Sequence, residues 1–307
     1  MIKSNNKIAI LMATFNGEIY IEKQINSIFS QTYKNFDLII CDDGSKDNTC
    51  NIIRKFMNNN KNIIFLKNTS SKHGQLRNFS FLFSYAVKQK KYDYIMFSDQ
   101  DDIWFSKKLK CSLDLILKRK SKPTLLYTNY IVYDQNKGSH EKAYNIQYKE
   151  SFESIFVQNW LMGCTMMMNK QMIDEIGSIP LNVDNHDYWI ALIASLNNNI
   201  VYLDQATMIH RLHANNVTTK AQNNVLKSKL NKIYNIIFNK QYRKSKYIIW
   251  YNIKKMLSKK YDNIHIDNLN LILNQKRFSS IKEAKRLGFK GMNKMSTLAF
   301  FMMLYLH

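Results

Sequence analysis

Tyr94-Ile95-Met96-Phe97-Ser98-Asp99-Gln100-Asp101-Asp102 decides how this 307-residue chain is read. A short apolar run without a polar face reads as a strand buried on both faces of a parallel sheet. It leads directly into three carboxylates. In open parallel sheets ligands bind beyond the carboxyl ends of the strands, so the acidic cluster marks where function is to be sought.

Working outward, the same alternation recurs upstream. Ile8 to Ala13, Leu38 to Cys41 and Ile63 to Leu66 read as further buried strands. Between them, amphipathic stretches predict helices over about 19–30, 48–58 and 76–88; Ile21, Ile25 and Ile28 share one helical face. This is the pattern of a parallel α/β domain. The second strand ends in Asp42-Asp43-Gly44-Ser45, so two acidic clusters face one crevice. From about Thr124 the pattern changes: Leu125 to Tyr133 is strand-like, and Phe152 to Trp160 and Trp189 to Leu196 are helical.

Carboxylates as close as Asp99, Asp101 and Asp102 repel unless a cation neutralises them. Hard oxygen ligands favour Mg²⁺ or Mn²⁺, which would hold a diphosphate and stabilise the charge appearing as it leaves. The alternative is a solvated acidic turn capping a helix near Phe105. Asp42-Asp43 suits recognition of a base and ribose, or else a turn in which Asp43 or Ser45 caps the next helix. Neither a G-x-G-x-x-G nor a G-x-x-x-x-G-K-[ST] occurs among the eight glycines. A dinucleotide fold and a P-loop ATPase are thereby disfavoured, and a metal must carry more of the phosphate binding.

Residues 8–102 resemble the nucleotide-binding half of glycosyltransferase family 2, which has the GT-A fold. The resemblance rests on Ala13-Thr14-Phe15-Asn16-Gly17, Ser30-Gln31-Thr32-Tyr33, Cys41 to Asp47 ("DDGSxD") and Ser98 to Trp104 ("SDQDDIW"), in order and at fitting intervals. The last form is frequent in bacterial rhamnosyltransferase-like and some galactosyltransferase members. It implies that Thr14, Asn16, Asp42, Asp43, Gly74, Arg77 and Asn78 form the nucleotide pocket. Asp99 contacts ribose or metal, Asp101 is a direct metal ligand, and Asp102 has an added role. Asn185-His186-Asp187-Tyr188-Trp189 resembles an "HDWW" segment, making Asp187 the base for inverting transfer, with a helix N-cap as its alternative. His186 stands where commoner members have Glu. His210-Arg211-Leu212-His213-Ala214-Asn215-Asn216 resembles "R-x-H-x-x-N": His213 completes the metal shell and Arg211 meets a phosphate. Trp160 and Gly163 resemble a segment lining donor sugar or acceptor, where glycine allows close approach of a ring; core packing is the alternative for Trp160 and Met162. Cys164, the Met166-Met167-Met168 run and Trp104 read as core.

The implied activity is metal-dependent transfer of a hexose from a UDP- or dTDP-sugar, galactose or rhamnose favoured. The acceptor is a hydroxyl of a growing bacterial surface glycan (O-antigen, capsule or lipooligosaccharide), carried on a lipid. Net charge is +22, unevenly spread. Residues 1–217 carry 26 Lys/Arg against 20 Asp/Glu, whereas residues 218–307 carry 19 against 3. The expected organisation is therefore a nucleotide-sugar half over 1–110, an acceptor and catalytic half over 111–217, and a basic helical region over 218–307. That last region shows an apolar stripe at Leu226, Leu230, Ile233 and Ile237, and suits docking to an anionic membrane. The four cysteines lie in no metal or redox spacing, no secretory signal opens the chain, and no run reaches the ~18 apolar residues of a membrane span. A cytoplasmic protein, peripheral on the inner face of the membrane, is expected. A nucleic-acid-binding protein would explain the charge but not the acidic strand ends, and no nucleic acid partner is expected. A glycoside hydrolase would explain paired carboxylates but not Asp42-Asp43.

Overall fold

A computed structural model describes residues 6–68, 72–119, 122–135, 137–213, 225–275 and 277–306, with residues 225–230 described as backbone only. One curved sheet runs through residues 8–212. Its first four strands are β1 (Ile8–Thr14), β2 (Phe36–Asp42), β3 (Ile63–Lys67) and β4 (Tyr94–Ser98). They pair in parallel in the order β3-β2-β1-β4. Every residue of β2 and β4 is buried, their apolar runs Leu38 to Cys41 and Tyr94 to Phe97 packing on both faces of the sheet. The crossovers α1 (Ile21–Phe29), α2 (Thr49–Asn59) and α3 (Gln75–Lys88) fall where periodicity places them.

The sheet then departs from the parallel pattern. A two-residue strand β5 (Ile103–Trp104) follows the acidic cluster, and α4 (Lys108–Ile116) begins beyond it. Strand β6 (Leu125–Asp134) carries a hairpin partner, β7 (Ser139–Lys142). Helix α5 (Phe152–Val157) is shorter than the predicted stretch to Trp160, because the chain leaves helical geometry at Gln158. The methionine run forms β8 (Met166–Asn169), fully buried and wedged antiparallel between β4 and β6. After α6 (Lys170–Ile176) and α7 (His186–Leu196) comes β9 (Ile200–Leu212), parallel to β6 and antiparallel to β5.

The basic region is helical: α8 (Val225–Phe238), α9 (Lys240–Lys260), α10 (Ile264–Asn274), α11 (Arg277–Arg286) and α12 (Lys294–Tyr305). It packs onto the catalytic half through rings, Phe156 meeting Trp250 at 5.7 Å, Phe289 at 6.0 Å and Phe300 at 6.3 Å. Polar ties add to this: Lys246 to Asp184 at 2.7 Å and His265 to Glu153 at 2.5 Å. On α8 the packed position is Ile236, while Ile237 is exposed, so the predicted stripe is displaced there by one residue. The side chains of Leu226 and Leu230, and Asn215 and Asn216 of the expected "R-x-H-x-x-N" segment, lie outside the described residues. Among the described residues no helix is long and apolar enough to cross a membrane.

Candidate active site

The carboxyl ends of β1, β2 and β4 lie side by side. Thr14 Oγ1 donates to Asp42 Oδ1 at 3.2 Å, and Asp42 Oδ2 accepts the amides of Gly44 and Ser45 at 3.0 and 2.9 Å. Asp42 therefore shapes the turn itself. Asp43 reaches sideways, accepting from Asn68 Nδ2 at 2.6 Å and from the Gly74 amide at 2.7 Å. Gly74 has φ 127°, a backbone open to glycine and strained for other residues, and it stands directly before α3. Asn78 Nδ2 donates to the Cys41 carbonyl at 2.9 Å, and Arg77 lies half-buried on the first turn of the same helix. Asn16, at φ 46°, accepts from the Lys46 amide at 2.9 Å. The seven residues expected to form a nucleotide pocket are thus assembled in one region. Neither Asp43 nor Ser45 caps α2, whose N-cap is Asn48.

Asp99, Asp101 and Asp102 do not form a solvated helix cap, since α4 starts only at Lys108 and Asp101 and Asp102 are buried. Instead β9 holds them. The antiparallel register Ile103↔Ile209 and Trp104↔Met208, continued outward, sets Asp102 opposite His210 and Asp101 opposite Arg211. Asp102 Oδ1 meets His210 Nδ1 at 2.8 Å, Asp101 Oδ2 meets His213 Nε2 at 2.9 Å, and Arg211 Nε donates to the Asp101 carbonyl at 3.2 Å. Arg211 and His213 share the ring of Tyr20, with His213 stacked at 4.3 Å and the guanidinium 5.1 Å away. Gln100 turns away from the acids and clamps the Phe15 backbone, its Oε1 accepting the amide and its Nε2 donating to the carbonyl, both at 3.0 Å. The loops after β1 and β4 are thereby tied together.

Ligating atoms of Asp99, Asp102, Cys164 and His210 lie within 4.8 Å of one another. Desolvation, then the charges of Asp102 and Asp101, push Asp99 up to about 8. Burial lowers His210, but Asp102 beside it, together with Asp99 and Asp101, leaves it raised. Buried Lys108, brought down to about 8 by desolvation, donates to Thr207 and lies 4.9 Å from the Trp104 ring. Asp102 Oδ2 is buried with no hydrogen-bond partner among the described residues. Crowded carboxylates with an orphaned oxygen fit a divalent cation, which would relieve both the repulsion and the unmet acceptor.

Asp187 lies in the first turn of α7 rather than at its N-cap, which is Asn185. Its Oδ1 accepts the Tyr188 amide at 2.6 Å and its Oδ2 the Gly163 amide at 3.3 Å. Burial pushes this carboxyl up to about 6, against the pull of those amides and of Asn159. Gly163 and Cys164 thus connect the two halves of the site, one touching Asp187 and the next joining the acidic cluster.

The close ring approach expected at Gly163 is made by the protein's own His186. A Cβ on Gly163 would lie 2.4 Å from His186 Nε2. That ring is buried against Phe79 at 4.2 Å and Phe97 at 4.7 Å, its Nε2 has no hydrogen-bond partner among the described residues, and desolvation drops its pKa to about 3. His186 is therefore a neutral packing group, buried as Gly163 is, and not the solvent-facing substrate contact expected. Trp160 is buried too, its carbonyl accepting from Tyr144 Oη at 2.5 Å. Sequence reasoning missed His210, Tyr20, Gln100 and Lys108, and took Cys164 for core alone. Only the recurrence of histidine at 210 and 213, around the end of β9, carried a signal.

A family model described as "Glycosyl transferase family 2" matches residues 9–177. The dTDP-rhamnosyl transferase RfbG of Shigella flexneri is 32% identical over 76% of this chain and 81% of its own length. The UDP-Glc:alpha-D-GlcNAc-diphosphoundecaprenol beta-1,3-glucosyltransferase WfgD of Escherichia coli is 30% identical over 63% of this chain and 71% of its own. A crystal structure of S. aureus TarS 1-349 in complex with UDP-GlcNAc has a TM-score of 0.57 at 17% identity, covering 96% of this chain and 87% of that one. The likeness to TarS shows a shared fold, the GT-A fold expected from the motifs.

Proposed function

From the premise that this chain belongs to glycosyl transferase family 2 and is a transferase, we propose that it inverts the donor sugar and uses a divalent cation. The observation that carries this reading is the joining of Asp187 to the Asp99–Asp102 cluster across two consecutive residues, Gly163 and Cys164. A base and a diphosphate-binding cluster so placed can address the two ends of one displacement.

In that displacement Asp187 takes the proton of the acceptor hydroxyl as its oxygen attacks the anomeric carbon. The bond from that carbon to the diphosphate oxygen breaks, and the electron pair leaves with the nucleoside diphosphate. Asp187, held by the Tyr188 and Gly163 amides, presents its carboxylate in a fixed direction. Asp101, Asp99 and His213, with the free Asp102 oxygen beside them, would hold Mn²⁺ or Mg²⁺, which would supply Lewis-acid stabilisation of the departing diphosphate. Thr14, Asn16, Asp42, Asp43, Gly74, Arg77 and Asn78 shape the nucleotide pocket, and Arg211 adds positive charge beside Asp101. The donor is a UDP- or dTDP-sugar, galactose or rhamnose favoured; a dTDP-rhamnosyl relative supports the second. The acceptor is a lipid-carried surface glycan, supported by WfgD's diphosphoundecaprenol substrate. Work on such an acceptor sets the protein at the inner face of the cytoplasmic membrane.

Asp187→Asn tests the assignment: nucleotide binding should persist while transfer falls about 10²–10⁴-fold, the range for loss of a general base. Turnover at the wild-type rate would remove Asp187 from the chemistry.

A further inference from the structure

Four side chains from separate parts of the chain converge at the acidic motif. They are Asp99 at the end of β4, Asp102 just before β5, Cys164 in the turn between α5 and β8, and His210 near the end of β9. Their donor atoms lie within 4.8 Å of one another. A tetrahedral zinc site, with Zn–S near 2.3 Å and Zn–N or Zn–O near 2.0–2.1 Å, sets its donors roughly 3.3–3.6 Å apart. The group therefore needs to close by about 1 Å at its widest. Asp101 and His213 are not in this group; they pair with each other at 2.9 Å.

The donor set is one sulfur, one imidazole nitrogen and two carboxylate oxygens. Sulfur with imidazole suits Zn²⁺, whereas Mg²⁺ and Mn²⁺ suit oxygen ligands. Asp102, Cys164 and His210 are 1, 2 and 5% exposed, so water does not solvate these donors. The Asp102 carboxylate lies against both His210 and the Cys164 thiol, and its Oδ2 has no hydrogen-bond partner among the described residues. An orphaned oxygen in so dry a place calls for a cation. Burial, and then the charges of Asp102 and Asp99, hold the Cys164 thiol well above its usual range. A dication reverses that balance, because it binds the thiolate.

We infer that Asp99, Asp102, Cys164 and His210 form an inner site for a thiophilic dication, Zn²⁺, distinct from the Mn²⁺ or Mg²⁺ position proposed at Asp101 and His213. Asp99 is common to the two donor sets. On binding, Zn²⁺ replaces the protons on Cys164 Sγ and on the ligating nitrogen of His210, and these leave to solvent. The ion ties β4, β9 and the turn before β8 together, pinning a pairing that spans 108 residues between Asp102 and His210. Nothing in this assignment depends on the transfer chemistry.

The test strips the full chain of metal with a chelator and titrates it with Co²⁺, a coloured stand-in for Zn²⁺. Wild type should develop a near-ultraviolet thiolate-to-cobalt absorption that saturates at about one Co²⁺ per chain. Zn²⁺ should bleach it, and Mg²⁺ in roughly hundredfold excess should not. Cys164→Ser should lack the band and Asp101→Ala should keep it. Zn²⁺ should also raise the thermal unfolding midpoint of wild type and leave that of Cys164→Ser unmoved. No band in wild type would overturn the site. So would a band surviving in Cys164→Ser, which would move the sulfur to Cys41, Cys50 or Cys111. A band lost in Asp101→Ala would merge the two positions and overturn the inner site as well. Should Cys164→Ser fail to fold, zinc X-ray absorption on wild type decides: one sulfur near about 2.3 Å beside nitrogen and oxygen is expected, and a shell without sulfur refutes it.

Discussion

An alanine at position 163 would place its Cβ 2.4 Å from His186 Nε2 and 3.1 Å from Cε1, where ordinary contact begins at 3.4 Å. About 1 Å of separation must therefore be found. The imidazole cannot supply it alone, because Phe79 and Phe97 close on it at 4.2 and 4.7 Å. Overpacking of this kind costs roughly 1–3 kcal/mol. The glycine has no positive φ, so alanine also removes unfolded-state freedom, a gain of roughly 0.4–1 kcal/mol. The clash is on average the larger effect, and a net loss of roughly 0–2.6 kcal/mol is expected for Gly163→Ala by denaturant unfolding. The activity should fall further than the stability. Asp187 follows His186 in α7 and accepts the Gly163 amide, so the strain reaches the base from both sides. A misplacement near 1 Å can cost about 10²-fold, and kcat/KM should drop by that order while nucleotide affinity holds. A variant as stable and as active as wild type would refute the packing argument.

Two further outcomes follow from the buried charges. Asp102→Asn should cost roughly 3–5 kcal/mol of stability, since it leaves His210 buried without its counter-charge; an unfolding midpoint unchanged from wild type would show that the pair is not formed. Asp187 has a folded value of about 6 against an ordinary 3.8, so between those pH values the folded chain binds more protons than the unfolded one. Its contribution to stability is thus present at low pH and lost as pH rises through that window. Activity moves the other way: kcat/KM should rise with pH through about 6 as the base ionises, and an acid limb flat down to pH 5 would contradict the role.

Much of this arrangement was legible because its signals are local. The strands from Ile8, Leu38, Ile63 and Tyr94 are continuous apolar runs, and their acidic ends follow at once in the chain. The methionine run at 166–168 has no polar partner to place outside, and it is core. What escaped is non-local. Strand β9 interrupts its apolar residues with Asp204, Gln205 and Thr207, and β5 is two residues long, so neither has a periodicity to read. Their pairing, across more than 100 residues, is what sets His210 against Asp102. Cys164 was legible as buried but not as a neighbour of the acids, because burial and company are different properties. At Gly163 the requirement for a close ring was read from sequence, but the ring belongs to the protein.

Calorimetric titration of UDP and dTDP, each with and without Mn²⁺, on wild type and Asp101→Ala most directly tests whether the acidic cluster is a metal-assisted nucleotide-sugar site. The expected result is binding of one nucleotide that depends on Mn²⁺ and weakens at least roughly tenfold in the variant, as for loss of a charge-assisted ligand. Binding indifferent to both the metal and Asp101, or no binding of either nucleotide, would contradict it.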